Sequence, residues 1–202
     1  MSKRKLTLDD IVDFRAYERE REQFRQRVIE LKRRRRVSLG PHITLVFENR
    51  DTIRFQIQEM ARIERLYADS QIENELRVYN PLIPEAGHLS ATMFIELTDD
   101  AQLREWLPKL VGIERSVYVQ FGEGADAERV SFTPDSERDE QLTRSDITSA
   151  VHYVHLSLNR EQIERFASSP VALVIDHANY RHETPLGDAT IAELTTDLRD
   201  DG

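Results

Sequence analysis

The spacing of apolar residues changes once near the start of the chain, and this change constrains the fold more than any other feature. Between residues 14 and 31, apolar and aromatic side chains recur at spacings of three and four, which is the period of one helix face. After Pro41 the spacing becomes two, as in a strand whose side chains alternate between faces. The sequence therefore predicts a long amphipathic N-terminal helix followed by β-structure.

A run of five cations, Lys32 to Arg36, ends this predicted helix. Cations are favoured at a helix C-terminus because its unpaired carbonyls carry a partial negative charge. Gly40 and Pro41 are typical stop signals beyond such an end. Thr7 or Asp9 is predicted to cap the first turn.

The same run could instead bind the phosphates of a nucleic acid. Such binding requires exposed aromatic side chains or a recognition fold beside the cations. The nearby aromatic residues Phe14, Tyr17 and Phe24 lie on the predicted core stripe of the helix. We therefore expect a capped helix end, and nucleic acid binding through residues 32–36 is the third and weakest functional hypothesis.

Charge divides the chain into two parts. Residues 1–36 carry 13 Lys and Arg against 7 Asp and Glu, a net charge of +6, whereas residues 37–202 carry 15 against 30, a net charge of -15. We expect a single domain over residues 1–202, with a basic helical arm at 1–36 and an acidic α+β body at 37–202. The arm could fold back on its own body or attract an anionic partner, and both alternatives stay open.

Alternating strands and short helices are predicted for the rest of the chain. Residues 43–47 and 53–57 read as a β-hairpin around Asn49-Arg50-Asp51. Further strands are predicted at 89–97, 117–121, 130–132, 147–158 and 171–175. Helices are predicted at 60–67, 70–79, 103–110, 160–167 and 188–198, with a mobile loop at 134–146. Because most strands alternate, the fold class is α+β, a mostly antiparallel sheet with flanking helices.

Composition excludes several kinds of chemistry. The chain has no cysteine, which excludes disulfides, thiolate catalysis, Cys-ligated zinc and clusters held by its own thiolates. The common nucleotide-binding, metalloprotease and hydrolase motifs are missing. We expect no bound metal and no cofactor, and whether the chain is an enzyme stays open.

The location of the protein is predicted from its hydropathy. No apolar stretch approaches the roughly 18 residues that cross a bilayer, and the N-terminal segment MSKRKLTLDD lacks the apolar part of a signal peptide. We expect a cytoplasmic protein that does not enter a membrane.

Four histidines are candidate catalytic or metal-binding residues: His42, His152, His155 and His177. On a regular strand His152 and His155 point to opposite faces, so only one of them could join His177, with Asp176 or Tyr180 as an orienting partner. Histidines at such positions are more often hydrogen-bonded core or rim residues than ligands.

Glu59 and Arg62 are the other candidates. Together with Gln58 they form a polar group that is predicted to follow the second strand of the hairpin and that could bind a polar ligand. On a helix the same spacing is more often a solvated salt-bridge face.

Four segments make the chain resemble a known family. They are RRRRVSLGPHITLVFENRDTIRFQIQEMARIERL, YNPLIPEAGHLSATMFIEL, LVGIERSVYVQFG and SAVHYVHLSL, in that order. They resemble a bacterial family known as domain of unknown function 3501, over nearly the whole chain. The resemblance implies no activity and no catalytic residues. It does imply a genomic neighbourhood, because proteins of this family are often encoded beside a rubrerythrin-like protein and an iron–sulfur oxidoreductase.

Two functional hypotheses follow from these observations. The first is an accessory or interaction protein of a redox system, whose protein partner carries the metals. The alternative is an enzyme or sensor with a His and carboxylate site. Self-association into a homo-oligomer is left open.

Overall fold

The computed structural model describes residues 4–122, 124–135 and 147–199. The helices are α1 (Phe14–Arg35), α2 (Arg50–Glu64), α3 (Asp69–Tyr79), α4 (Asp100–Lys109), α5 (Arg160–Ser168) and α6 (Asp188–Arg199). The strands are β1 (Arg36–Leu39), β2 (Ile43–Glu48), β3 (His88–Ile95), β4 (Val117–Phe121), β5 (Glu128–Ser131), β6 (Thr133–Pro134), β7 (Val151–Ser157), β8 (Val171–His177) and β9 (Tyr180–Pro185). The predicted α+β class is confirmed.

The strands form two antiparallel sheets. The first sheet has the order β1-β2-β3-β7-β6, and the second has the order β5-β4-β8-β9. One large core cluster takes side chains from both sheets and from the last two helices, among them Leu45, Met93, Val119, Leu173, Phe166 and Leu194. All six residues of β2 are buried, because α1 and α2 cover the face of the first sheet that points away from this core.

Helix α1 confirms the predicted long N-terminal helix, although its two ends differ from the prediction. Asp13 caps it by accepting a hydrogen bond from the backbone N–H of Ala16 at 2.9 Å. Thr7 instead begins a short 3₁₀ turn at Leu8–Asp10. The helix ends at Arg35, so the last cation of the basic run already belongs to β1.

The predicted hairpin at 43–57 is wrong in its second half. Residues 43–48 form β2, but residues 53–57 lie within α2. Asn49 is a helix cap and not a turn residue: its side-chain oxygen accepts hydrogen bonds from the backbone N–H groups of Asp51 and Thr52. The sequence does not distinguish the two structures here, because apolar residues at 53 and 57 fit the period of two of a strand as well as the i, i+4 spacing of a helix.

The hairpin that contains β2 is formed with β1, and its turn lies at Gly40 and Pro41 rather than at residues 49–51. Gly40 has φ of +70°, and a Cβ at this position would lie 2.5 Å from the ring of His182. Glycine is therefore required here for its backbone conformation and for the close approach of β9.

Most other predicted elements are confirmed with shifted ends. The capping box of α5 is present, with Asn159 and Gln162 bonded as predicted. Strands β1 and β9 were not predicted, and the predicted mobile loop at 134–146 falls mostly outside the described residues. Within the described ranges, no helix is long and apolar enough to cross a bilayer.

Candidate functional site

Two of the candidate histidines, His152 and His155, lie on opposite faces of β7. His152 is buried, with its Nε2 2.8 Å from the hydroxyl of Thr148 and 3.0 Å from the carbonyl oxygen of Ser149. His155 is on the other face, where its Nε2 lies 3.6 Å from a carboxylate oxygen of Asp135. The structure therefore gives each ring a separate set of partners.

The other two candidates lie near α4. The ring of His42 packs against Trp106, with centroids 4.8 Å apart. His177 lies at the end of β8, where its Nε2 is 3.2 Å from the carbonyl oxygen of Val111 and its Nδ1 accepts from the backbone N–H of Asn179 at 3.3 Å. In the part of the chain that the structure describes, no group of three or more His, Asp or Glu residues is placed to hold a metal ion.

The predicted pair Glu59 and Arg62 lies on α2, in an ionic cluster with two residues of α1. Glu59 accepts hydrogen bonds from the hydroxyl of Tyr17 at 2.6 Å and from two guanidinium nitrogens of Arg21 at 2.8 and 2.9 Å. Arg62 is farther away, with its Nε 3.8 Å from Glu59 Oε1 and its Nη1 3.6 Å from Glu18. Gln58 does not join this cluster, because its side-chain amide bonds both backbone groups of Val12.

These contacts shift the pKa values of the cluster. The hydrogen bonds from Arg21 lower the pKa of Glu59, against an opposing effect of burial, and the bond from Tyr17 lowers it further. Burial raises the pKa of the Tyr17 phenol, and the neighbouring charge of Glu59 adds to that effect. The carboxylate stays ionised and the phenol stays protonated, so the cluster holds α1 and α2 in a defined alignment.

A groove of about 430 Å³ opens beside this cluster. Its walls come from the segment before α1, the first turn of α1, the second half of α2 and the start of α3. The apolar part of the lining consists of Leu8, Ile11, Val12, Phe14, Ala61, Leu66, Tyr67 and Ile72. Arg15 and Arg62 are the cations of the lining.

The rim of the groove exposes large apolar side chains. Phe14 and Tyr67 face each other edge to face, with ring centroids 6.1 Å apart, and they are 41% and 67% exposed. Ile63, on the last turn of α2, is 66% exposed. Exposed aromatic and apolar residues grouped in this way are typical of an interaction surface.

Arg62 adds a polar group to this apolar groove. Its Nε is buried, and no acceptor among the described residues forms a hydrogen bond with it. A buried donor without a partner costs about 1–3 kcal/mol. The Arg62 side chain as a whole is 31% exposed, so its guanidinium group can meet a carboxylate or carbonyl group that enters the groove.

Sequence reasoning identified Glu59 and Arg62 but missed the contribution of Tyr17 and Arg21. A signal for these partners was present, because Arg21 occupies a position on the apolar stripe of α1, between Tyr17 and Phe24. A cation on a buried stripe requires a buried anion opposite it. Only the packing of α2 against α1 shows that this anion is Glu59.

Four of the five cations of the basic run form ion pairs with carboxylates of the chain itself. Arg33 pairs with Glu30 on the same helix, and Arg36 pairs with Glu96 across the first sheet. Arg34 and Arg35 pair with Glu193 on α6, and Arg35 also pairs with Asp197. Arg34, Arg35 and Arg36 thus contact the acidic body, which is one of the two alternatives left open by the charge distribution, whereas Arg33 pairs within the arm.

Comparison with known proteins adds a family and a fold. A family model described as "Protein of unknown function (DUF3501)" matches residues 5–198. The crystal structure of a novel protein of unknown function from Burkholderia pseudomallei K96243 is similar to this chain, with 35% sequence identity and a TM-score of 0.85. The similarity covers 98% of this chain and 100% of that chain. No functionally curated protein matches.

Proposed function

The chain belongs to the DUF3501 family of proteins of unknown function, and from this premise we propose that it is an accessory protein that binds a protein partner through the groove between α1, α2 and α3. The observation that carries the proposal is the exposure of Phe14 and Tyr67 in the groove lining, together with that of Ile63 on the last turn of α2, the helix that forms one wall of the groove. Aromatic residues and arginine are enriched at the centres of protein interfaces.

The extent of the apolar surface favours a protein over a small molecule. The groove itself has the size of a small-ligand pocket. Ile63, however, does not line the groove and still exposes about two thirds of its side chain. A molecule that filled only the groove would leave this residue in water, whereas a protein segment that lay across the groove would cover it.

The side chains of the groove also indicate the chemical character of the partner segment that would bind there. It would place an apolar side chain against Phe14 and Tyr67, and a carboxylate or backbone carbonyl against the guanidinium group of Arg62, whose side chain is 31% exposed. Neither interaction competes for the hydrogen bonds that Glu59 accepts from Tyr17 and Arg21. The partner segment is therefore apolar with an acidic residue beside it.

The resemblance to the family supports a more specific form of the proposal. In this form the protein works in the cytoplasm as part of a redox system, and its partner is a rubrerythrin-like protein or an iron–sulfur oxidoreductase. The metals would then belong to the partner.

Binding of the purified full chain to each of these two candidate proteins tests the proposal by titration calorimetry. We expect one of them to bind, and we expect Ile63→Asn and Tyr67→Ser to weaken that binding by about tenfold or more each, in the manner of interface hot spots. Ile29→Asn is the matched control, because Ile29 is a 36% exposed apolar residue on α1 that does not line the groove. The control should bind like the unmodified protein.

Three results would contradict the proposal or part of it. Equal binding by all variants would place the interface elsewhere on the molecule. Failure of both candidates to bind would remove the redox partner from the proposal. Concentration-dependent self-association that Tyr67→Ser abolishes, measured by sedimentation, would assign the groove to a second copy of this chain.

A further inference from the structure

A second cavity, of about 230 Å³, lies between α1, α2, α3 and the first sheet. We call it the Glu48 cavity, and it is lined by Lys32, Glu48, Thr52, Ile53, Gln56, Tyr79, Leu82, Thr92, Phe94, Val151 and Tyr153. The lining combines one carboxylate, one ammonium group, several neutral polar groups and apolar walls. No residue of this cavity was singled out from its sequence context as a site residue.

Glu48 is the most unusual residue of the lining. It is the last residue of β2 and only 7% exposed. Its Oε2 accepts a hydrogen bond from the hydroxyl of Thr52 at 2.5 Å, and its Oε1 accepts one from the hydroxyl of Thr92 at 2.7 Å. A carboxylate has about four acceptor positions, so roughly half of its capacity is used.

The charge of Glu48 is not balanced by a bonded cation. Both of its hydrogen-bond donors are neutral hydroxyl groups, and within the described ranges no Lys, Arg or His forms an ion pair with it. Removing a carboxylate from water is strongly unfavourable unless a cation or several donors replace the lost water. An incoming ammonium group would supply both a charge and donors.

Lys32 is the complementary group. It follows Phe24 and Val28 at successive i+4 positions on the inner side of α1, so its side chain is directed beneath the helix and lines the cavity. The next four residues of the basic run all pair with carboxylates. Lys32 has no ion pair or hydrogen bond with any residue that the structure describes, which leaves its ammonium group available to an anion.

We propose that the Glu48 cavity binds a small zwitterion, with the ammonium group of the ligand at Glu48 and its carboxylate at Lys32. Charge-assisted hydrogen bonds of this kind are stronger than bonds between neutral groups. Ile53, Leu82, Phe94 and Val151 provide an apolar surface for the carbon chain between the two charges. This site is separate from the groove of the proposed function, and either proposal can fail without the other.

The volume of the cavity limits the size of the ligand. A water molecule takes about 30 Å³ in the liquid, so the cavity has room for a ligand of on the order of ten non-hydrogen atoms. This size is typical of a small amino acid and smaller than most cofactors. The ligand class is therefore an amine that also carries a carboxylate on a short aliphatic chain.

Titration calorimetry and thermal unfolding of the full chain test this proposal with five probes. L-Alanine, β-alanine and γ-aminobutyrate are zwitterions with increasing separation of the charges, whereas butylamine and butyrate each carry one of the two charges. We expect at least one zwitterion to bind once per chain and to raise the unfolding temperature. Its affinity should exceed that of butylamine and of butyrate by about tenfold or more, since each lost charge-assisted bond weakens binding.

Three variants identify the residues responsible. Glu48→Gln and Lys32→Met should each weaken binding of the zwitterion by about tenfold or more. Glu48→Gln should also abolish the binding of butylamine while it spares butyrate, and Lys32→Met should have the opposite effect. Arg33→Met is the matched control, because it removes the neighbouring cation of the same helix turn, which points to solvent and is 71% exposed. This control should bind like the unmodified protein.

The proposal fails if none of the three zwitterions binds below about 10 mM, which would leave the cavity to water. It also fails if Glu48→Gln and Lys32→Met both bind the zwitterion as tightly as Arg33→Met does. Glutamine keeps the shape of Glu48 and an acceptor for one threonine hydroxyl, so we expect this variant to fold. If it does not fold, Lys32→Met decides the test, because its side chain has no partner to lose.

Discussion

Arg35, the last residue of α1, forms a largely buried ion pair with Glu193 on α6. Arg35 Nη2 lies 2.8 Å from Glu193 Oε1, and the Arg35 side chain is only 1% exposed. The same guanidinium group donates to both oxygens of Asp197, at 2.7 and 3.0 Å. The last turn of α1 is therefore fastened to α6, and the basic arm is held against the acidic body.

Replacement of Arg35 by methionine should lower the free energy of unfolding by about 3–5 kcal/mol, because it leaves Asp197 partly buried without its cation and leaves Glu193 with Arg34 alone. Urea denaturation of the purified protein measures this loss. Arg33→Met is the control, since the Arg33 pair with Glu30 is exposed and should contribute less than about 1 kcal/mol. Equal losses in the two variants would contradict a structural role for the buried pair.

Phe24 should contribute more to stability than Phe14, although both lie on α1. Phe24 is 4% exposed and packs edge to face against Phe55, with centroids 5.6 Å apart. Phe24→Ala should cost about 3–5 kcal/mol in the free energy of unfolding. Phe14→Ala, at a residue that is 41% exposed, should cost less than about 1 kcal/mol. A loss of that small size for Phe24→Ala would mean that the stripe of α1 is loosely packed.

Gly40 should tolerate substitution less well than Gly112. Both glycines have positive φ, +70° and +84°, but a Cβ at Gly40 would meet the ring of His182 at 2.5 Å, and a Cβ at Gly112 would meet nothing within 4 Å. Gly112→Ala should cost about 1 kcal/mol, from backbone strain alone. Gly40→Ala should cost clearly more, because the clash is added to the strain. Thermal unfolding of the two variants makes the comparison, and equal shifts would show that β9 moves aside freely.

The Glu59 cluster should make stability depend on pH in the acid range. The pKa of Glu59 is lowered in the folded protein from an ordinary value near 4.5. Its stabilising contribution is therefore complete above that value, and it is lost as the pH falls through the lower folded-state pKa. Glu59→Gln should cost about 2 kcal/mol at pH 7 by weakening charge-assisted hydrogen bonds. The stabilities of variant and unmodified protein should converge as the pH falls through the folded-state pKa of Glu59.

Urea denaturation at several pH values measures this convergence. Glu64→Gln is the control, because Glu64 is an exposed carboxylate at the end of the same helix, and its stability curve should follow that of the unmodified protein. A difference between Glu59→Gln and the unmodified protein that stays constant throughout the acid range would show that the lowered pKa does not stabilise the fold.

The basic run should not bind nucleic acid with useful affinity. Arg33, Arg34, Arg35 and Arg36 already pair with carboxylates of the chain, and the rest of the protein is acidic. Fluorescence anisotropy with labelled duplex and single-stranded oligonucleotides should show no submicromolar binding near physiological salt, about 0.15 M. Tight binding that weakens steeply with salt would restore the phosphate-binding hypothesis.

The sequence predicted elements well where apolar spacing was unambiguous. The helix α1, the strands β3 and β7 and the cap of α5 each depend on neighbours within a few residues, and each is confirmed in type. The prediction was wrong in detail for Phe14, which is 41% exposed, and for β3, which is buried on both faces. The prediction from sequence was wrong at residues 53–57, where the same apolar positions fit both the period of a strand and that of a helix. It also missed β9, whose side chains alternate between partly buried and exposed positions that carry little apolar contrast.

The sequence by itself determined the absence of thiol chemistry, the α+β class and the long basic helix, because composition and local periodicity are properties of neighbouring residues. Only the tertiary structure determined which cationic side chains pair with which carboxylates. Arg35 pairs with Glu193, 158 residues away. Lys32, three positions earlier, pairs with no carboxylate of the described residues and lines the same cavity as Glu48. The physical reason is that the partner of a buried charge depends on which distant elements pack over it, and local spacing does not encode that packing.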